Sequence, residues 1–180
     1  MKKLFLSFTI IFLSFSLSFG QTSLKGGING AGSINKGFWG LNPNLVIEHN
    51  LFGDLNADFR LNGFVDIGPN EKISGVDVKD YHRSLYSDLG ISYKLINRKV
   101  DWSIGGGGSY QIGVEKYVSG AGWTGDWLDF YETEKTNFSR FGLFLKNTIS
   151  FGEAVSFNLT VYRFDFWGEY VSFGPSFHIN

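Results

Sequence analysis

The sequence predicts an all-β fold: an eight-stranded antiparallel up-and-down transmembrane β-barrel that follows an N-terminal signal peptide. Three observations lead to this prediction. Apolar and polar residues alternate with a period of two over long stretches. The 180-residue chain has 24 glycines and 18% aromatic residues but only 3 prolines, a mixture that favours strands and tight turns. Short turns and long loops alternate between the predicted strands, which is typical of a membrane barrel.

The composition excludes several functional classes. A formal charge of −1, from 16 basic and 17 acidic residues, gives no basic stripe for a nucleic acid. The absence of cysteine excludes disulfide bonds, cysteine-ligated zinc, iron–sulfur clusters, thiol catalysis and lipoprotein anchoring. His49, His82 and His178 lie far apart in the sequence and form no local metal-binding motif. We therefore predict no cofactor and no metal.

Residues 1–20 have the organisation of a secretory signal peptide. Lys2 and Lys3 form a short basic start, and an apolar stretch with interspersed serines runs from Leu4 to Phe19. Small residues in Ser18-Phe19-Gly20 predict cleavage after Gly20, which leaves the barrel domain at residues 21–180. The alternative is an uncleaved anchor helix, but the apolar stretch is short for a membrane span.

Two segments give the clearest strands. In residues 55–67 the odd positions are apolar or Gly, and the even positions are polar except for Phe64. In residues 100–115, apolar side chains from Trp102 to Val114 share one face with two glycines, while polar residues and glycines fill the other. Each of these faces therefore meets a different environment.

The remaining strands follow in order along the chain. They are predicted at residues 23–34, 44–52, 84–95, 138–151, 155–166 and 170–179. Tight turns are predicted at residues 52–55, 96–99 and 151–154, and a short connection at 167–169. Longer loops are predicted at residues 35–43, 68–83 and 116–137. An even number of strands places both chain ends at the short-turn end.

The alternation does not reveal by itself which face points into the barrel. A soluble lipocalin-type carrier has an apolar lining, whereas a membrane barrel has an apolar exterior and a polar interior. The polar face carries Lys25 and a near-balanced set of further charges that could pair across a lumen. That predicted lumen network consists of Glu48, Asp58, Arg60, Asp66, Asp88, Lys94, Asp101, Glu115, Arg140 and Lys146. Many glycines and serines share this face, and small residues suit a crowded interior.

Aromatic placement also favours a membrane barrel. One set lies near the predicted short turns and consists of Phe52, Tyr93, Trp102, Phe151 and Phe157. The other lies near the predicted long loops and consists of Phe38, Trp39, Phe138, Phe166, Trp167 and Tyr170. Two aromatic belts are what the two membrane interfaces select, although aromatic residues also favour strands in general.

With these features, the chain resembles the small eight-stranded outer-membrane barrels of Gram-negative bacteria, of the OmpX/OmpA type. The resemblance covers the mature chain and includes the last predicted strand, residues 170–180, with Val171, Phe173 and Phe177 on one face. It implies a location in the outer membrane, contact with its lipid and lipopolysaccharide, and recognition by the barrel-assembly machinery. The family usually ends in an aromatic residue, whereas this chain ends in Asn180. Pro175 removes one hydrogen bond from this strand, and we expect a bulge there.

Two enzyme types use the same barrel, the lipid A deacylases and the lipid A palmitoyltransferases. The deacylases carry a His-x-Ser arrangement. In this chain neither His178 nor His49 is followed by the serine at the required spacing. The palmitoyltransferases draw a His, an Asp and a Ser from the loop side, where Asp80, His82 and Ser84 lie close in the sequence. We favour a solvated loop histidine over a catalytic one, because proximity in a loop does not establish a nucleophile–base pair.

The predicted loop 116–137 is rich in aromatic and acidic residues. The candidate contact residues are Trp123, Trp127, Phe130 and Tyr131, interspersed with acidic residues that lack the spacing of a calcium loop. Exposed aromatic residues at this density indicate a contact surface for an extracellular protein or glycan. The alternative, which we favour, is an interface anchor plus a hairpin that extends past the membrane.

These observations predict an integral outer-membrane protein with a closed polar lumen. We expect it to be non-enzymatic and to act in surface interaction or envelope integrity through its extracellular loops. A lipid-A-modifying enzyme is the alternative, followed by a secreted lipocalin-like carrier and a narrow ion pore.

Overall fold

The computed structural model describes residues 22–34, 38–68, 71–73, 76–78, 81–96, 99–124, 127–152, 154–164 and 168–179. The predicted signal peptide, residues 1–20, lies outside the described residues. The strands are β1 Thr22–Ser33, β2 Trp39–Phe52, β3 Leu55–Asp66, β4 Glu71–Ile73, β5 Val76–Val78, β6 Tyr81–Ile96, β7 Val100–Thr124, β8 Trp127–Phe151, β9 Val155–Phe164 and β10 Gly168–His178. No helix in this part of the chain is long and apolar enough to cross a membrane.

Eight of the strands close into an antiparallel barrel, which confirms the predicted fold class. Their order around the barrel is β1-β10-β9-β8-β7-β6-β3-β2, and β1 closes the ring by pairing with β2. Each barrel strand therefore has a partner on both sides, so the sheet has no open edge within the wall. The short strands β4 and β5 pair only with each other, within the segment predicted as the loop 68–83.

Short turns join the strands at one end of the barrel. Gly53 and Gly152 lie in the β2–β3 and β8–β9 turns with φ angles of 56° and 62°. These left-handed backbone conformations favour glycine because it has no Cβ to clash. Asn50 Nδ2 supports the first turn by donating to the Gly53 carbonyl at 2.8 Å. This end also holds the first and last strand residues, and is called the turn end below; the opposite end is the loop end.

The structure corrects the predicted loop at residues 116–137. Most of this segment is strand, because β7 and β8 each run for 25 residues and pair with each other beyond the barrel wall. Register shifts between Val118 and Gly120 and between Gly122 and Trp123 break the alternation there. A period-two pattern cannot be read through such bulges, so the sequence does not define the bounds of these strands. The alternative of a hairpin agrees with the pairing of β7 and β8.

The bulge expected at Pro175 is absent between β9 and β10. Pro175 pairs with Phe157 in a register that continues on both sides. On the other side, the pairing of β10 with β1 is interrupted opposite Ile28 and Asn29 and resumes in the same register. The missing proline N–H is thus accommodated by a local gap in the ladder with β1.

Candidate functional site

The barrel exterior carries a continuous apolar belt. On β6 the outward side chains Leu85, Leu89, Ile91 and Tyr93 are 62%, 42%, 55% and 50% exposed. The belt on this strand runs from Leu85 to Leu95, which is about 33 Å along the strand and about 25 Å along the axis of a tilted barrel. This height equals the apolar band of a transmembrane barrel.

An ion-pair cluster fills the lumen toward the turn end. It consists of Lys25, Glu48, Asp58 and Lys146, which come from β1, β2, β3 and β8. Glu48 lies 2.5 Å from the Lys25 ammonium and 3.2 Å from that of Lys146. Lys146 also lies 2.8 Å from Asp58 Oδ2. Because each buried charge has an oppositely charged neighbour, the cluster offsets part of the large cost of removing these groups from water.

Arg60 and Asp88 lie near the middle of the lumen. Asp88 accepts hydrogen bonds from Asn62 at 2.8 Å, from the Ser109 hydroxyl at 2.6 Å and from the Tyr162 hydroxyl at 2.8 Å. Arg60 Nε lies 4.0 Å from Asp88 Oδ2. Three hydrogen-bond donors from different strands fix the Asp88 carboxylate in place, so these contacts connect the strands across the lumen.

An aromatic layer occupies the lumen at the loop end. The His82 ring stacks on Phe138 with centroids 5.1 Å apart and lies 5.4 to 5.6 Å from the rings of Phe38, Phe64 and Tyr170. Further rings of this layer are Tyr86, Tyr162 and Phe164. The lumen is therefore polar toward the turn end and aromatic toward the loop end, a division that the binary pattern does not predict.

Inward glycines make room for these rings. A Cβ on Gly90 would lie 2.7 Å from Phe144 Cζ, and one on Gly113 would lie 2.6 Å from Phe138 Cζ. Both distances are shorter than real carbon contacts. The small residues on the inner face thus pack against large rings from neighbouring strands.

The two predicted aromatic belts have different outcomes. At the turn end, all five predicted side chains are exposed on the exterior: Phe52, Tyr93, Trp102, Phe151 and Phe157. At the loop end, Trp39 is exposed, but Phe38 and Tyr170 are buried and Phe138 stacks on His82. Their position in the strand register directs these rings inward. Phe166 and Trp167 lie outside the described residues.

The structure also corrects the expectation of a solvated loop histidine. His82 belongs to β6 and is completely buried, with Ser84 Oγ 3.2 Å from its Nε2 and Glu115 Oε2 3.8 Å from its Nδ1. Asp80 lies outside the described residues. The serine, histidine and glutamate have the residue types of a nucleophilic site, but rings cover the histidine and Gln111 Nε2 donates to Ser84 at 3.0 Å. These contacts orient the histidine within the packed lumen.

The predicted lumen residues have distinct positions in the structure. Glu115 lies 3.5 Å from Arg140 at the loop end, and Arg140 lies over the Phe138 ring at 4.2 Å. Asp66, Lys94 and Asp101 are half-buried near strand ends. Among the described residues, no group of three potential metal-ligating side chains is brought together.

The outer part of β7 and β8 forms a hairpin extension, defined here as residues 117–134. Pairing of β6 with β7 ends at Lys116, and pairing of β9 with β8 reaches only to Gly142. Trp123, Phe130 and Tyr131 are 48%, 60% and 36% exposed. The side chain of Trp127, the fourth candidate contact residue, lies outside the described part of the chain.

Cross-strand contacts order this extension. Gly122 pairs with Phe130, and the Phe130 ring lies directly over the glycine. The Tyr117 hydroxyl donates to Glu134 Oε2 at 3.2 Å. The extension therefore holds exposed aromatic rings and carboxylates on a paired sheet rather than on an irregular loop.

Comparison with solved structures gives the fold context. Neisserial surface protein A has a TM-score of 0.58 at 9% identity, over 88% of this chain and 94% of that one. Ail, the attachment invasion locus protein of Yersinia pestis, has a TM-score of 0.51 at 11% identity, over 89% and 99%. The N-terminal β-barrel domain of Pseudomonas aeruginosa OprF has a TM-score of 0.51 at 12% identity, over 89% and 100%. Ail has also been solved in complex with the heparin analogue sucrose octasulfate.

No protein-family model and no curated protein sequence matches the chain. The structural matches and the closed eight-stranded topology agree with the fold predicted from the sequence. The chain has the fold of the small outer-membrane barrels of Gram-negative bacteria, with the apolar exterior by which such a barrel spans the outer membrane.

Proposed function

We propose that this protein is a non-enzymatic outer-membrane barrel that contacts a partner outside the cell through the hairpin extension. The single observation that carries this proposal is the projection of residues 117–134 beyond the barrel wall on a paired sheet. Long connections of outer-membrane barrels face outward from the cell, so the extension is in the right place for such contacts. The rigid, filled barrel serves as its base.

The charge of the extension indicates the chemistry of the partner. Residues 117–134 contain four acidic residues, Asp126, Asp129, Glu132 and Glu134, and no lysine or arginine. Glu132 and Glu134 are exposed in the structure. Such a surface attracts a cationic partner and repels a polyanion such as the sulfated sugar bound to Ail. We therefore infer a cationic, extended protein segment as the partner.

The free strand edges favour the same partner class. Beyond Lys116 on β7 and before Gly142 on β8, no other described strand pairs with the extension. An extended segment can add to such an edge through backbone hydrogen bonds, while exposed rings such as Phe130 contact its side chains. Acidic residues on the same sheet then select lysine or arginine in the added strand.

The lumen argues against the alternative of a pore for solutes. Ion pairs fill one half and stacked rings fill the other, and Tyr162, Phe164 and Lys146 are among the largest fully buried side chains. An eight-stranded barrel has room for little more than its own side chains. The filled lumen supports a function on the outer surface rather than in transport.

The test uses the mature barrel in phosphatidylcholine nanodiscs and an immobilised peptide of alternating lysine and valine. We expect measurable binding that weakens several-fold in the Glu132→Gln/Glu134→Gln variant and falls as salt is raised. Asp54→Asn removes a carboxylate at the turn end and serves as the charge control. Phe130→Ala tests the aromatic contribution. Equal binding to heparin, or no loss in the glutamate variant, would contradict the proposal.

A further inference from the structure

Three basic side chains lie together on the outer face of the barrel near the loop end. They are Arg83 on β6, Lys116 on β7 and Lys135 on β8, which are adjacent strands. Lys116 and Lys135 are direct cross-strand partners, and Arg83 pairs with Val114, two residues from Lys116. Directly opposed side chains lie about 5 Å apart and diagonal ones about 7–8 Å apart, so the three cations can act on one ligand.

All three side chains point away from the lumen. On β6, His82 and Ser84 are buried while Arg83 between them is exposed. Lys135 is exposed and Lys116 is half-buried. Glu115 and Glu134 occupy the opposite face, because they directly adjoin these lysines in an alternating strand. The acidic face of the hairpin extension therefore does not neutralise this basic cluster.

Direct apposition of two lysines is unfavourable in an isolated sheet. Within the described part of the chain, none of the three basic residues forms a salt bridge with a carboxylate. The Arg83 guanidinium lies 5.2 Å from the centroid of the Tyr81 ring, which holds it on the outer face. An external anion would relieve the repulsion between Lys116 and Lys135.

An apolar groove lies directly below the basic cluster on the same wall. It has a volume of about 700 Å³ and crosses β2, β3, β6 and β7. Small residues, Gly63 and Ser87, form a shallow centre, and the surrounding walls are lined by Leu45, Leu61, Leu85, Tyr110 and Ile112. Leu85 follows Arg83 by two residues on the same face, so the backbone of Arg83 lies about 7 Å above that of Leu85 in the groove.

We propose that the cluster and the groove together bind one phosphorylated lipid of the outer leaflet, with its phosphates on Arg83, Lys116 and Lys135 and acyl chain in the groove at Gly63. Three cations suit a lipid with more than one phosphate better than a phospholipid with a single charge. The loop end faces the outer leaflet, where the phosphorylated glycolipid lipid A provides this chemistry. This site is separate from the acidic extension and does not depend on the function proposed for it.

The first experiment is native mass spectrometry of the barrel released from phosphatidylcholine nanodiscs after exposure to lipid A. We expect one lipid A molecule per barrel to be retained. The Lys116→Gln/Lys135→Gln variant should retain it about tenfold less well or worse. Arg163→Gln is the matched control, because Arg163 is also exposed on the outer face near the loop end but pairs in register with Glu169 on β10.

A second pair of variants tests the groove. Ser87→Leu fills its centre and should weaken retention of lipid A, whereas Gly108→Leu adds the same side chain to open exterior space and should not. Each variant is first shown to be folded by its mobility shift on boiling in SDS. This control separates loss of lipid from loss of the barrel.

Three results would overturn the proposal. One is undiminished retention of lipid A in the double lysine variant. Another is an equal loss in Arg163→Gln, which would indicate attraction to the whole rim rather than a site. The third is equal retention of phosphatidylglycerol and lipid A, which would show that a single phosphate suffices and that a multiply phosphorylated lipid is not selected.

Discussion

The Lys146 ammonium on β8 lies 2.8 Å from the Asp58 carboxylate on β3, so this ion pair crosses the lumen between strands that are not neighbours in the wall. Both side chains are almost completely buried. Lys146→Met would leave Asp58 without this partner and should lower the free energy of unfolding by about 3–5 kcal/mol. Urea-induced unfolding of the barrel in a bilayer measures the loss. Lys99→Met, at an exposed turn position, should have little effect.

The orientation of the wall can be tested on adjacent residues. Leu61 is 48% exposed on the apolar belt, whereas Asn62 is buried and donates to Asp88. Leu61→Arg should impair membrane insertion, because an arginine on the lipid-facing side near the midplane costs about 2–4 kcal/mol. Asn62→Arg should insert but disturb the lumen. Membrane fractionation and unfolding measurements distinguish these effects, and equal, mild effects would contradict the assigned faces.

The inward glycines predict a second contrast. Gly90→Val would place a Cβ directly against the Gly106 carbonyl oxygen and 2.7 Å from Phe144 Cζ, and should destabilise the barrel by about 1–3 kcal/mol. Gly108→Val projects into open space on the exterior and should leave stability nearly unchanged. Urea midpoints of the two variants provide the comparison. Similar losses in both would indicate that loss of glycine itself, rather than crowding inside the barrel, causes the destabilisation.

His82→Ala tests the enzymatic alternative. The histidine is enclosed by aromatic rings, so we expect no modification of lipid A. A Gram-negative host that expresses the parent protein, one that expresses the variant and one that expresses neither should give the same mass spectrum of lipid A. The variant should nonetheless lose about 2–5 kcal/mol of stability, as expected for removal of a buried ring. A lipid A modification that depends on the parent protein and disappears in the variant would support catalysis instead.

The closed barrel predicts a characteristic electrophoretic behaviour. The folded protein from an outer-membrane fraction should resist SDS when unheated and change its mobility on boiling, because every strand in the wall is paired on both sides. A protein that is soluble without detergent and shows no shift would reverse the assignment of the apolar face to the exterior.

The sequence predicts the wall of this barrel well because alternation is a local property. In residues 55–67 each side chain reveals its face, and even the exception, Phe64, keeps its inward position as a ring of the aromatic layer. Phe138 lies two residues before Arg140, a predicted lumen residue, so the same alternation places its ring on the inner face. A position near a loop does not by itself distinguish an interface ring from a lumen ring. The separation of the lumen into a polar part at the turn end and an aromatic part at the loop end also depends on how the strands pair in the closed barrel.

Neither the strand register of the hairpin extension nor the basic cluster can be predicted from the sequence, and the reasons are related. Bulges interrupt the pattern of the extension, and two of them fall within a short stretch. Lys116 and Lys135 lie far apart in the chain and become neighbours only through the β7–β8 register. The hairpin alternative for residues 116–137 does not by itself specify the register that brings these lysines together, because bulges lie on both strands.

The charges of the ion-pair cluster all have oppositely charged partners only when the barrel is closed. Lys25 belongs to the first strand, Glu48 and Asp58 to the next two, and Lys146 to β8, so a partly assembled sheet would turn unneutralised charges toward hydrocarbon. Such an intermediate is costly in a bilayer, because isolated ions there lack both water and counter-ions. We therefore expect folding and insertion to be concerted, because only the closed barrel brings Lys146 to Glu48 and Asp58.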